Sequence, residues 1–78
     1  MVARSFKSST SFDKSLELLI NENDDGRKTN SVYSGFRSLK EAKDFVNWWE
    51  GVWGWGYMGS ASVSSDLTVH TSRYNSCD

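Results

Sequence analysis

Residues 38–49, Ser-Leu-Lys-Glu-Ala-Lys-Asp-Phe-Val-Asn-Trp-Trp, decide the fold of this chain. Their apolar side chains recur every three or four positions, at Leu39, Ala42, Phe45, Val46 and Trp49. This spacing is typical of an amphipathic helix. Ser38 and Glu41 match a capping box, in which the serine oxygen accepts from an early backbone N–H and the glutamate reaches back to the N–H of the cap residue. We therefore predict a helix over residues 38–51, ending at Gly51 in a left-handed cap.

The segment before this helix predicts an antiparallel hairpin. Apolar side chains share one parity at Leu16, Leu18 and Ile20. Residues 12–23 also fit a helix by their spacing, so both interpretations are open. We favour the strand, because Asp25 and Gly26 follow at once and an Asp-Gly pair between apolar runs favours a hairpin turn. The returning strand is predicted over residues 30–37.

Two further regions alternate as strands do. Near the start of the chain, Val2, Arg4 and Phe6 predict a short strand. After the helix, one parity carries apolar residues at Ala61, Val63, Leu67 and Val69. This predicts one long strand or, with a turn at residues 64–66, a second hairpin. The fold class expected is α+β, a single domain over residues 1–78 in which one amphipathic helix packs on one face of a small antiparallel sheet of four to five strands.

The composition limits what this domain can be. The chain has 78 residues, nine basic and ten acidic side chains, and a formal net charge of −1. This length allows one small core, so a second copy of the chain, a homodimer, can contribute to stability. A hydrophobic fraction of 37% favours a packed core over intrinsic disorder. A near-zero net charge argues against the simplest kind of nucleic-acid binder, which has a strong basic surplus.

Cysteine use and the first twenty residues predict a soluble protein of the cytoplasm. Cys77 is the single cysteine and cannot form an intrachain disulfide. Residues 1–20 contain neither an apolar stretch of signal-peptide length nor a membrane span. We therefore expect a reducing compartment and no membrane partner.

The sequence offers no convincing set of catalytic residues, so we predict that the chain is not an enzyme. His70 is the only histidine, and its alternation places it on the exposed face of a strand. Cys77 is the penultimate residue, where a thiol is not held in attack geometry. The acidic run ending at Gly26 begins like a calcium loop, but its twelfth position is Val32 where a glutamate is required. We expect no catalytic residue, no cofactor and no metal.

All four tryptophans fall within eight positions, in a stretch that also contains several glycines. Trp49 lies on the apolar stripe of the helix and is expected in the core. The remaining rings are the candidate partner-binding residues, namely Trp48, Trp53, Trp55 and Tyr57. They either close one end of a small core or stand exposed, and exposed rings form interaction hot spots or stacking platforms for bases.

Charge is segregated along the chain. Residues 13–25 carry one lysine against five acidic residues, whereas residues 26–43 carry five basic residues against one glutamate. The acidic candidates for partner binding are Glu22, Asp24 and Asp25, and the basic candidates for nucleic-acid binding are Arg27, Lys28, Arg37, Lys40 and Lys43. An acidic turn can mimic a phosphate run and dock on a basic groove of a host protein or ribonucleoprotein. In the alternative function, the basic residues and tryptophan stacking bind single-stranded nucleic acid. Both charge runs also fit an ordinary solvated surface.

The layout of residues 16–59 resembles the small phage-encoded anti-CRISPR inhibitors of α+β type. The resemblance rests on a strand pair, a turn with Glu22-Asn23 near its start, residues 35–42 (GFRSLKEA), Phe45, and residues 48–51 (WWEG). It implies a non-enzymatic inhibitor, active in the cytoplasm of an infected bacterial host, that binds a surveillance complex and blocks target-DNA binding or nuclease recruitment. No catalytic residue is implied.

Overall fold

A computed structural model describes residues 2–9, 12–13, 15–54 and 58–74 of the chain. Within these residues, five strands form an antiparallel sheet with the spatial order β1-β2-β3-β5-β4. The elements are β1 (Val2–Ser9), β2 (Glu17–Asp24), β3 (Lys28–Ser34), α1 (Leu39–Trp53), β4 (Ser60–Val63) and β5 (Val69–Tyr74). The predicted α+β fold, with a helix packed on an antiparallel sheet, is confirmed.

The first three strands form a meander. β1 and β2 pair along eight residues, from Val2 opposite Asp24 to Ser9 opposite Glu17. The strand interpretation of the second segment is therefore confirmed over β2. β3 lies earlier in the chain than the predicted residues 30–37, because Gly35 adopts a φ of 115° and turns the backbone out of the sheet. Such a positive φ is readily available only to glycine.

The sheet has a covered face and an open face. The buried residues of the three inner strands share the covered face, namely Leu18, Ile20, Thr29, Ser31, Val69 and Thr71. The opposite parity forms the open face, which carries uncharged polar residues at Ser5, Asn21, Asn23, Asn30, Ser60, Ser62 and Ser72. His70 lies on this open face and is exposed, as its alternation predicts.

The start of α1 is held by two side chains. Ser38 Oγ accepts a hydrogen bond from the N–H of Glu41 at 3.2 Å, as the capping box predicts. The reciprocal bond differs from the prediction, because the Glu41 carboxylate accepts from the backbone N–H of Arg37 at 2.8 Å. The guanidinium of Arg37 also pairs with Glu41 at 2.7 Å and lies 3.6 Å from Asp13. This ion pair holds the pKa of Glu41 below its ordinary value through hydrogen bonds from Arg37.

The end of α1 differs from the prediction. Gly51 lies inside the helix, which continues to Trp53, so the predicted left-handed cap at Gly51 is wrong. Gly54 is the C-cap with a right-handed backbone, and its N–H donates to the carbonyl of Glu50 at 2.8 Å. Because the Trp53 side chain packs against the core, the added turn gains buried apolar surface.

The core lies between α1 and the inner strands. Phe45 is fully buried, and its ring centroid lies 4.9 Å from that of Tyr33 and 5.2 Å from that of Phe36. Trp49 is 2% exposed, which confirms its predicted place in the core. Leu39, the first residue of the predicted apolar stripe, is 47% exposed and lies outside the core.

A hairpin joins β4 to β5, so the second of the two predicted arrangements is present. The N–H of Ser64 donates to the carbonyl of Thr68 at 2.8 Å, and the N–H of Leu67 donates to the carbonyl of Ser64 at 3.1 Å. Leu67 adopts a φ of 65°, the left-handed conformation that follows a type I turn in three-residue hairpin loops. Its side chain still packs against the core.

Candidate functional site

The topology brings separate parts of the sequence to one end of the molecule, here called the turn end. It consists of the β2–β3 turn with its two flanking residues (residues 24–28), the last turn of α1, residues 58–59 and the end of β5. In the register, Lys28 lies opposite Tyr74 at this end. The N–H of Gly59 donates to the carbonyl of Trp53 at 3.2 Å, which joins the chain before β4 to the end of α1. The acidic turn and the end of the tryptophan stretch therefore lie at the same end of the sheet.

Trp53 is the predicted partner-binding ring that lies at the turn end. It is half-buried against the core, and the guanidinium of Arg73 lies 4.4 Å from its ring centroid. Such a cation–π contact fixes the ring and places a positive charge beside it. Trp53 is therefore an ordered aromatic side chain with a partly exposed surface.

The acidic residues of the β2–β3 turn order their own backbone. Asp24 Oδ1 accepts from the N–H of Gly26 at 2.8 Å. Asp25 Oδ1 accepts from the N–H of Lys28 at 2.7 Å and from that of Arg27 at 3.1 Å. These bonds hold the pKa of Asp25 below its ordinary value, with the bond from Lys28 as the largest cause. The turn thus presents the ionised Asp25 carboxylate in a fixed geometry.

Glu22 lies farther from the turn and is less accessible. It faces the covered side of β2, and its carboxylate accepts from Arg4 Nε of β1 at 3.1 Å. The Glu22 side chain is 13% exposed, whereas that of Arg4 is 65% exposed. Because Arg4 neutralises Glu22, this carboxylate adds little accessible negative charge to the predicted acidic cluster, whereas Asp25 is exposed.

Trp48 lies away from the turn end, in the middle of α1. Its ring centroid lies 5.9 Å from that of Phe12 and 5.6 Å from that of Phe45. The side chain is half-buried and packs against the core. Of the two interpretations given for these rings, Trp48 fits the one in which the ring helps to close the core. Trp55 and Tyr57, the other two candidate rings, lie outside the described residues.

Exposed apolar side chains at the turn end were not identified from the sequence. Met58 is 75% exposed, Tyr74 is 48% exposed and Val52 is 46% exposed. Val52 lies in the last turn of α1, Met58 lies just before β4, and Tyr74 ends β5. Methionine and tyrosine are enriched at protein interfaces, and this was the signal in the sequence that could have drawn attention to them.

The five basic candidates are divided between different parts of the surface. Arg27 and Lys28 lie at the turn end. Arg37 and Lys40 lie beyond the other end of β3, where Arg37 pairs with Glu41, and Lys40 Nζ lies 3.0 Å from Asp44 Oδ2. Lys43 borders a shallow groove between α1 and β4. These residues do not form one continuous surface, and their role in nucleic-acid binding stays a prediction.

His70 belongs to a short hydrogen-bonded chain on the open face. Thr68 Oγ1 donates to Asp66 Oδ1 at 2.7 Å and lies 3.2 Å from His70 Nε2. Because the threonine proton is directed to Asp66, the imidazole cannot accept it and serves as the donor. The arrangement orders the β4–β5 hairpin.

The comparisons with known proteins give no family assignment, since no family model, curated protein or solved structure matches the chain. In the described parts of the chain, no three histidine, cysteine, aspartate or glutamate side chains converge as metal ligands. The described helix is too short and too polar to be a candidate for crossing a membrane.

Proposed function

We propose that this chain is a non-enzymatic binding protein that docks through its turn end on a basic groove of a host defence or nucleic-acid-handling complex and blocks its activity. The observation that carries the proposal is the convergence at the turn end of ordered carboxylates, an aromatic ring and exposed apolar side chains. The anti-CRISPR type of inhibitor, which the sequence layout resembles, is the form of this function that we propose.

The chemistry of the turn end supports a protein partner with a mixed surface. Asp24 and Asp25 provide fixed acceptors for arginine or lysine side chains, because their turn is ordered before binding. Met58 and Tyr74 provide exposed apolar area at the same end of the molecule. Arg27 and Lys28 lie at the same end, so acidic groups at the rim of the basic groove would pair with them and set the orientation of docking.

The proposal is tested by expressing the chain in bacteria that carry one defined CRISPR or restriction system and measuring plasmid interference. We expect interference to be lost for a system that the chain inhibits, and the purified complex to bind the chain stoichiometrically. The informative variant is the double change Asp24→Asn with Asp25→Asn. Asparagine keeps the side-chain oxygen that accepts the turn hydrogen bonds, so the variant removes two charges and preserves the turn.

The matched control is the double change Glu17→Gln with Asp44→Asn, which also removes two negative charges but leaves the turn end unchanged. We expect the turn variant to weaken inhibition at least about tenfold and the control to retain it. If inhibition is equally strong in both variants, the turn end is the wrong surface. If no defence system is inhibited, and the chain instead binds single-stranded DNA with a steep salt dependence, the nucleic-acid alternative replaces the proposal.

A further inference from the structure

The two edges of the sheet differ in how their backbone is protected. β4 forms one edge and has only four residues. The Glu50 carboxylate of α1 accepts from the N–H of Ala61 at 3.4 Å, and side chains of α1 border the strand along its groove. An unpaired strand edge is otherwise a template for another strand, so this contact and the short length protect the β4 edge from pairing.

The β1 edge lacks these forms of protection. β1 has eight residues that contain neither proline nor glycine, and it pairs with β2 in an uninterrupted register without a bulge. Among the described elements, α1 packs over β4 and β5 at the other side of the sheet. The outer backbone groups of β1 are thus available to a further strand.

An apolar side chain lies near the middle of this edge strand. Phe6 is on the covered side of the sheet, opposite Ile20 in the register, and is 37% exposed. The guanidinium of Arg4 lies 5.5 Å from its ring centroid, and Arg4 is itself paired with Glu22. The edge therefore combines an accessible ring with a basic group whose charge is already compensated.

We propose that a second copy of this chain pairs with β1, so that two protomers form a continuous ten-stranded antiparallel sheet. A two-fold axis perpendicular to the sheet keeps each face on its own side, and a register centred on Phe6 meets this condition. In that register Phe6 lies opposite its own copy, Arg4 lies opposite Ser8, and Lys7 lies opposite Ser5. No two like charges are directly opposite, and both Phe6 rings become buried against each other.

A second copy fits this edge better than an acidic peptide of another protein. The basic charge of Arg4 is used within the protomer, so an acidic strand gains little from it. Pairing of two copies buries the exposed Phe6 ring of each protomer. Oligomerisation is also a common source of stability for domains of this size. This inference is independent of the proposed function. The outer edge of β1 is one edge of the sheet, whereas the proposed function uses the turn end.

The test measures the mass of the full chain by light scattering and sedimentation over a range of concentrations. We expect a species of twice the 8.8 kDa mass of one chain. Phe6→Lys places two ammonium groups opposite each other and should weaken the dimer at least about tenfold. Asn30→Lys is the matched control, because Asn30 is exposed on the open face of β3, opposite Asn23 and Ser72 and away from β1, and should leave dimerisation unchanged.

A cross-link tests the register and does not depend on the folding of the lysine variant. In a Cys77→Ser background, Phe6→Cys should oxidise to a disulfide-linked dimer, because directly opposed side chains lie within disulfide reach. Leu19→Cys in the same background should stay monomeric under the same oxidation. A chain that is monomeric at its highest soluble concentration, or cross-linking that is equal at the two positions, would overturn the proposal.

Discussion

The guanidinium of Arg73 lies 4.4 Å from the ring centroid of Trp53, and this contact joins the end of α1 to the last strand of the sheet. Both residues lie at the turn end and both are half-buried. Attraction between a cation and the face of an indole ring contributes about 0.5–1 kcal/mol when exposed and about 2 kcal/mol when desolvated. The pair therefore stabilises the last turn of α1, which extends past Gly51, the residue at which the sequence pattern predicted the helix to end.

Arg73→Gln is expected to lower the free energy of unfolding by about 1 kcal/mol, because it removes the charge above the ring. Urea denaturation followed by circular dichroism measures this change. A double-mutant cycle with Trp53→Leu isolates the coupling between the two side chains. Arg27→Gln, in the exposed turn, is the control and should change stability by less than about 0.5 kcal/mol. A coupling energy of zero in the cycle would show that the contact does not stabilise the fold.

Two glycine substitutions should have opposite effects on stability. A Cβ at Gly59 would lie 2.7 Å from the carbonyl oxygen of Trp53 and 2.9 Å from the ring of Trp49, so Gly59→Ala should destabilise the fold by about 1–3 kcal/mol. A Cβ at Gly51 meets nothing within 4 Å and lies inside α1, so Gly51→Ala should stabilise it by about 0.5–1 kcal/mol. Thermal unfolding of the two variants measures both signs, and equal signs would contradict the packing described here.

Stability should fall in acid because the fold lowers the pKa of several carboxylates. The pKa values of Asp25, Asp13, Glu41 and Asp66 lie below their ordinary values, each through hydrogen bonds to neighbouring residues. A carboxylate with a lowered folded pKa stabilises the native state above its unfolded pKa. That contribution is lost as the pH falls through the folded pKa, so the expected loss lies below about pH 4.

The urea midpoint, measured from about pH 6 down to about pH 2, tests this expectation. Asp25→Asn keeps the turn acceptor but removes one titrating group, and it should make the midpoint less sensitive to acid than in the native chain. Lys43→Gln removes one charge but leaves these four carboxylates unchanged, so it should keep the native dependence. A midpoint that is constant throughout this range would contradict the linkage.

Local patterns predicted most of the elements because their physical causes are local. Ser38 marks the start of α1 through a bond to a residue three positions away, and the Asp25-Gly26 pair marks the turn through bonds within that turn. The alternation of β2 assigned its covered and open faces correctly. The predicted end of α1 at Gly51 was wrong, because the packing of Trp53 against the core outweighs the tendency of Gly51 to end a helix.

The candidate site was less predictable because it depends on the pairing of distant residues. Glu22 is neutralised by Arg4, eighteen positions earlier in the chain, and no local pattern indicates that pair. The register likewise separates Arg27 from Arg37, which are close in sequence but lie beyond opposite ends of β3. Trp48 and Trp53 are five positions apart and both pack against the core, but their neighbours differ. Trp48 lies beside Phe12, whereas Trp53 lies beside Arg73 at the turn end.

The direction of α1 gives the turn end a negative potential that does not come from side chains. The aligned peptide dipoles of a helix are equivalent to roughly half an elementary negative charge at its C-terminus, and the last turn of α1 contains no basic residue. Peptide groups do not titrate in the way that carboxylates do. A cationic group that approaches the turn end is therefore attracted by the backbone as well as by side-chain carboxylates, and the backbone part of this attraction persists in acid.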